Sequence, residues 1–210
     1  MPPSTTRPAA EDPRPLTGEP LSLDLLNTRW IDADGPHDLL GTLEGLAVWL
    51  RSAGLADQSA ADRPTLDALL HTRDALLALV DDQPTTEAAS ALNDVLAHGS
   101  VHHRLGPDGP ETHPRAEPPH WLPAWLAAAD YLTLLDTAPQ RVKGCANPRC
   151  VLHYYDTTKN GGRRWCSMAV CGNRAKAASH YARARPRPAP RSAPRAGSAG
   201  EEPGAPGTGS

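Results

Sequence analysis

Cys145-Ala-Asn-Pro-Arg-Cys150, followed by Arg163-Arg-Trp-Cys-Ser-Met-Ala-Val-Cys-Gly-Asn-Arg-Ala-Lys176, is the part of the chain that decides its reading. These runs hold all four cysteines, Cys145, Cys150, Cys166 and Cys171, spaced C-x4-C-x15-C-x4-C. Two close pairs separated by a hairpin-sized gap offer four thiolates to one tetrahedral Zn²⁺. The Asn-Pro turn inside the first pair folds the chain so that both sulfurs face one point. An iron–sulfur cluster and a redox-switched dithiol pair are the other chemistries that this spacing admits. A reducing cytosol favours metal over disulfides, and zinc is the expected occupant, one ion per chain.

Charge changes sign around this segment. Residues 1–140 carry 8 Lys/Arg and 21 Asp/Glu, whereas residues 141–195 carry 13 Lys/Arg and a single acid, Asp156. The formal net charge of −3 therefore conceals an acidic body joined to a cationic module. That asymmetry points to an anionic partner, with nucleic acid first. The opening twenty residues hold no apolar run suited to a signal peptide, and no later run is long enough to span a membrane, so a cytoplasmic setting is expected. Eighteen of the 21 basic residues are Arg and Phe is absent, a composition that reads as coding bias rather than function.

Along the chain, residues 1–20 are rich in Pro, Ser and Thr and are expected to be disordered. Leu21-Ser-Leu-Asp-Leu-Leu-Asn-Thr28 opens the body, too short to be assigned as strand or helix. Thr42 is placed to cap a helix with Leu43, Leu46, Ala47 and Leu50 on one face, stopped by Gly54. Pro64 and Thr65 introduce a second, on whose apolar face Arg73 is expected to snorkel from the edge. A third runs from about Thr86 to His98, with Ala89, Leu92, Val95 and Leu96 inward. Residues 100–120 read as a hairpin around Gly-Pro-Asp-Gly109. A fourth helix, from about Pro123 to Thr137, is expected to bury Trp125, Ala128, Ala129, Leu132 and Leu135. In the cysteine region the x15 gap reads as a second hairpin, Val151–Tyr155 out and Arg163–Trp165 back, with a helix from Ser167 onward. The fold class is thus a mainly α N-terminal domain with a minor β-hairpin (α+β), then a small treble-clef-like zinc module with four cysteine ligands. After Tyr181 the chain turns to Arg/Pro and then Gly/Ala/Pro/Ser, a composition that cannot bury enough surface to order itself.

The run through Cys171-Gly172-Asn173-Arg174, with Cys145-Ala-Asn-Pro-Arg-Cys150 and Asp156-Thr-Thr-Lys-Asn160 upstream, resembles the CGNR zinc-finger family of bacteria. Leu23-Asp-Leu-Leu-Asn-Thr28 and the segment Leu46-Ala-Val-Trp-Leu-Arg51, ending in Ala-Gly-Leu55, resemble the ABATE domain that precedes the finger in that family. The division that follows is a disordered start at 1–20, an ABATE-like regulatory domain at 21–140, the finger at 141–183 and a disordered tail at 184–210. The resemblance implies a stress-induced transcription regulator whose finger binds DNA and whose N-terminal domain answers to an unknown small-molecule or protein effector.

The expected DNA contacts are Arg163, Arg164, Arg174 and Lys176, with Trp165 between basic residues. A plainer role exists for such cations, which is to neutralise four thiolates around Zn²⁺, and Asn173 reads as a backbone-fixing residue beside its ligand. A fully thiolate zinc leaves no open position for a substrate, and no nucleophile elbow or phosphate loop is present, so no enzymatic activity is expected. His102 and His103 are adjacent and would face opposite sides of a strand, so they cannot share a metal there. Asp24, Asn27, Thr28 and Trp30 could line a ligand pocket, but capping and turning the chain is the simpler role. An adaptor that docks its zinc module on acidic protein or RNA is the alternative to a DNA-binding regulator, and salt-dependent, sequence-selective DNA binding separates the two.

Overall fold

The computed structural model describes residues 11–80, 85–174 and 176. Five helices and three two-stranded antiparallel pairs follow one another along these residues. Leu21–Leu26 (α1) leads into Arg29–Ile31 (β1) and Pro36–Asp38 (β2), which pair with each other. Leu43–Ser52 (α2), Arg63–Val80 (α3) and Thr86–Leu96 (α4) come next. Gly99–Gly106 (β3) and Gly109–Ala116 (β4) form the long hairpin, and Leu122–Thr137 (α5) closes the body. Val142–Gly144 (β5) and His153–Tyr155 (β6) then frame the first cysteine pair.

Local signals account for the helix starts. Thr42 accepts a hydrogen bond from the Gly45 N–H at 3.1 Å, Thr85 from Ala88 N–H at 3.1 Å, and Asp62 from Thr65 N–H at 2.9 Å. Each side chain satisfies a donor that has no partner within its helix. Gly54, at φ +70°, ends α2 in the left-handed region where a β-carbon is costly.

α1 is the hub. It packs against α3, α5 and β6, and five of its six residues are buried. A helix so enclosed must give each polar group a partner. Ser22 donates through Oγ to Asp130 Oδ2 of α5 at 2.6 Å. Asp24 Oδ2 accepts from Arg14 at 2.7 Å and from the Trp49 indole at 3.0 Å. Asn27, fully buried at the end of α1, reaches the later cysteine region.

The structure corrects several expectations. Residues 11–20 are not loose: Arg14 is buried and holds Asp12, Asp24 and Ser52, so this segment is anchored by a charge network. Arg73 does not snorkel. Its guanidinium is enclosed and grips both carboxylate oxygens of Asp38, at 2.7 and 2.8 Å, and Thr28 Oγ1 at 2.8 Å. A buried cation needs such a partner, and β2 supplies it. Asp24 and Asn27 serve distant partners rather than local caps, while Thr28 does turn the chain, donating to Leu25 O at 2.7 Å.

In α4 the inward alanine is Ala88 rather than Ala89. In α5 the buried face is Ala124, Trp125, Ala127, Ala128, Tyr131 and Leu134, and Leu132 and Leu135 stay 44% and 40% exposed. That helix is apolar almost all round, so composition did not single out a face. What selects it is packing against α1, α3 and α4, with Trp125 seated on Gly99, where an added Cβ would lie 2.4 Å from its ring, and its indole N–H donating to Leu96 O at 3.0 Å.

Candidate zinc centre and cationic module

The module is assembled on β5 and β6, which pair antiparallel with Val142 opposite Tyr155 and Gly144 opposite His153. The Cys145 N–H to Leu152 O bond at 2.9 Å continues that ladder by one step. Between them the Asn-Pro knuckle turns tightly: Cys150 N–H reaches Asn147 O at 2.9 Å, and Arg149 N–H reaches Asn147 Oδ1 at 3.1 Å.

The expected hairpin across the x15 gap has a different construction. Arg163–Trp165 does not return as a strand. It is held by Ala146 N–H donating to Arg164 O at 2.8 Å and by the fully buried carboxylate of Asp156. Asp156 accepts from Lys143 Nζ at 2.8 Å, Arg163 N–H at 2.9 Å, and Thr158 N–H and Oγ1 at 3.0 and 2.6 Å. Burial alone would raise its pKa. The hydrogen bonds from Lys143, Thr158 and the Arg163 N–H outweigh it and hold the carboxyl well below the usual range. Gly161 completes the turn at φ +59°, which a residue with a β-carbon rarely adopts.

These constraints bring the four sulfurs within 4.8 Å of one another. Cys150 and Cys166 Sγ lie 3.7 Å apart, and Cys166 and Cys171 Sγ lie 3.6 Å apart. Tetrahedral Zn–S bonds of about 2.3 Å place sulfurs about 3.8 Å from each other, so the spacing is that of an edge of a tetrathiolate zinc site. It is far beyond the roughly 2.05 Å of a disulfide, and all four thiols are free.

The electrostatics agree with a cation. Hydrogen bonding from Cys166 pulls the Cys150 thiol down. Cys166 itself is pushed up, first by sharing that bond and then by burial and its neighbours' charge. Four negative charges held so close together need a compensating cation, which Zn²⁺ supplies. N–H donors already point at the sulfurs: Cys166 N–H to Cys145 Sγ at 3.5 Å and Asn147 Nδ2 to Cys171 Sγ at 3.3 Å. Between the last two ligands the chain makes one wide π-type turn, Met168–Gly172, closed by Gly172 N–H to Ser167 O at 3.0 Å. Helical geometry follows at Asn173, Arg174 and Lys176. Asn173 spends its amide on Ala169 O at 3.1 Å, which is a backbone-fixing contact.

The four cationic residues marked out for DNA are not equivalent. Arg163 lies inside the module. Its guanidinium covers the Tyr154 ring at 4.1 Å and donates to Trp165 O at 3.0 Å, Cys166 O at 2.6 Å and Glu19 Oε1 at 3.2 Å. With its donors so engaged it is a clamp between ligand loop and body, and it has little left for a phosphate. Arg164 is exposed, its guanidinium 5.2 Å from the centre of the Trp165 ring. Arg174 and Lys176 are exposed and meet no carboxylate among the described residues, and the same holds for Arg149 and Lys159. Arg183, at the end of the finger, and the tail at 184–210 with Arg185 lie outside the described residues.

Sequence reasoning missed the contacts that fasten the module to the body. Asn27 Oδ1 accepts from His153 N–H at 2.8 Å, and Asn27 Nδ2 donates to His153 O at 2.9 Å, completing β6 as a neighbouring strand would. Glu19 accepts from Tyr155 N–H at 2.9 Å. Leu152, Tyr154, Cys166 and Cys171 belong to the same buried apolar cluster as Leu23, Leu46 and Leu69. No pattern in the sequence pairs residues so far apart.

Among the described residues no helix is long and apolar enough to cross a membrane. A search of curated proteins returns no match. The family model for the CGNR zinc finger matches residues 141–184, and the four cysteines gathered there hold one zinc ion. The model for ABATE, described as "Putative stress-induced transcription regulator", matches residues 19–138. With more than half of its length matched in that way, the chain belongs to the ABATE family and carries a CGNR zinc finger behind the ABATE domain.

Proposed function

We propose that the chain is a cytoplasmic DNA-binding transcription regulator whose zinc module supplies the nucleic-acid surface and whose ABATE domain supplies the regulatory part. One observation carries this reading. In the body, Arg14, Arg29, Arg63, Arg73 and Arg104 each meet a carboxylate, and exposed Arg115 meets none among the described residues. In the module, Lys143 and Arg163 are paired with Asp156 and Glu19. On the module, Arg149, Lys159, Arg164, Arg174 and Lys176 are exposed and none meets one among the described residues. Cations left unpaired beside an acidic body suit an anion from outside, and phosphates repeat at the density such a surface needs. The four-thiolate site has no free coordination position, which supports a structural rather than a catalytic zinc.

The test is binding of the zinc-loaded full chain to a random duplex pool over a salt series, with and without chelator. The reading expects affinity that falls linearly in log–log salt dependence, is lost with the zinc, and enriches particular sequences. Absence of binding at low salt would overturn it and leave docking on acidic protein or RNA as the use of the same surface.

A further inference from the structure

The β1–β2 turn of the body faces the zinc knuckle across a groove of about 660 Å³, whose wall includes Ile31, Asp32, Pro148, Arg149, Trp165 and Arg174. A second hollow of about 100 Å³ shares Ile31, Asp32, Arg149 and Arg174 and continues to Trp30 and Val170. The larger groove has the size of small-molecule sites, which are mostly apolar with a few convergent polar groups and favour junctions between domains. Its apolar wall is open to solvent at Ile31, which is 42% exposed, and the smaller hollow is open at Val170, 40% exposed. Neither guanidinium at the groove has a carboxylate partner among the described residues. The Asp32 carboxylate is engaged elsewhere, at 2.8 Å from His37 Nε2 and 2.9 Å from Asp34 N–H.

We propose that this groove is an effector site for a small organic anion with a flat apolar body, such as an aromatic carboxylate. Its anionic group pairs with Arg149 and Arg174 and its ring lies between Trp165 and Ile31. The guanidinium fork binds a carboxylate through two parallel hydrogen bonds, and the Trp165 face suits a planar group. Arg149, Trp165 and Arg174 stand one to three positions from Cys150, Cys166 and Cys171, so zinc fixes one wall of the site while the β1–β2 turn fixes the other. A ligand there contacts body and finger together. Because Arg149 and Arg174 also belong to the proposed DNA surface, the bound anion should weaken DNA binding, a corollary that rests on that reading.

The test uses zinc-loaded full-length protein without nucleic acid and benzoate as the probe, followed through the tryptophan indole N–H signals by NMR. Trp165→Phe identifies the Trp165 signal. A saturable shift of that signal with benzoate, absent with the neutral isostere benzyl alcohol, is expected. Arg149→Gln combined with Arg174→Gln should weaken it at least about tenfold, as loss of a charge-assisted pair does, with zinc content unchanged. Arg104→Gln, on the β3–β4 hairpin away from the groove, should leave it as it was. An unmoved Trp165 signal overturns the proposal, as does an equal response to benzyl alcohol or in the double variant. An equal response to inorganic phosphate would reduce the site to bare anion binding and overturn the organic ligand. None of these outcomes bears on whether the chain binds DNA.

Discussion

Asn27→Ala is the perturbation that best tests how body and module are joined. Asn27 is fully buried, and its amide makes two bonds of 2.8 and 2.9 Å to the His153 backbone on the free side of β6. Alanine leaves a donor and an acceptor without partners in a part-buried site. At about 1–2 kcal/mol for each abandoned group, the cost is about 2–4 kcal/mol. For a chain of this size that corresponds to a fall in Tm of roughly 4–16 °C. Calorimetry measures the shift, and transfer of zinc to a chromogenic chelator should speed up, because the docked strand carries the knuckle.

Asn27→Asp sharpens the argument. One oxygen still accepts from His153 N–H, but the other now faces the His153 carbonyl, so the buried carboxyl is expected to have a raised pKa. A folded-state pKa above the unfolded value gives stability that is present at low pH and lost as pH rises through the folded pKa. The deficit of Asn27→Asp relative to wild type should therefore shrink from pH 8 to pH 6. If Asn27→Ala changes neither Tm by more than about 1 °C nor the rate of zinc transfer, the join does not depend on Asn27 and the reasoning fails.

The remaining predictions follow from other contacts. Ser in place of any one of Cys145, Cys150, Cys166 or Cys171 should abolish zinc retention by elemental analysis, since structural zinc supplies about 10–16 kcal/mol to such a module. Chelation should also lower the Tm of the helical body, because Leu152 and Tyr154 share its core. Arg73→Ala should cost about 3 kcal/mol in denaturant unfolding by leaving Asp38 and Thr28 without their buried partner, the low end because Asp38 is partly exposed. Burial works to raise the Asp38 pKa, but Arg73 and Arg29 outweigh it and hold it below its usual range. Its contribution is therefore complete above the unfolded value of about 3.9 and lost as pH falls through the lower folded pKa, an acid loss that Asp38→Asn should lack in circular dichroism. Arg163→Ala should speed zinc loss with little change in the salt slope of DNA binding, whereas Arg164→Ala or Arg174→Ala should lower that slope by about one unit and keep the zinc.

Much of the chain is legible without coordinates, and its residues show why. Cys145, Cys150, Cys166 and Cys171 declare their ligand set because tetrahedral coordination constrains spacing along the chain. Thr42 and Gly54 mark helix ends because capping acts over three or four residues. The Gly-Pro-Asp-Gly109 turn fixes its hairpin for the same reason.

Tertiary structure decided everything that depends on a partner far away in sequence. Arg73 could as well have snorkelled, until Asp38 was folded beneath it. Arg163 and Arg164 are adjacent and chemically identical, yet one clamps Glu19 and the Cys166 carbonyl while the other stands over Trp165 in solvent. In α5, apolar on nearly every side, packing against α1, α3 and α4 chose the inward face, with Gly99 and Leu96 receiving Trp125. The groove between β1–β2 and the knuckle joins residues more than a hundred positions apart. Short-range geometry is written in neighbouring residues, but burial and pairing of a side chain are properties of the folded surface that surrounds it.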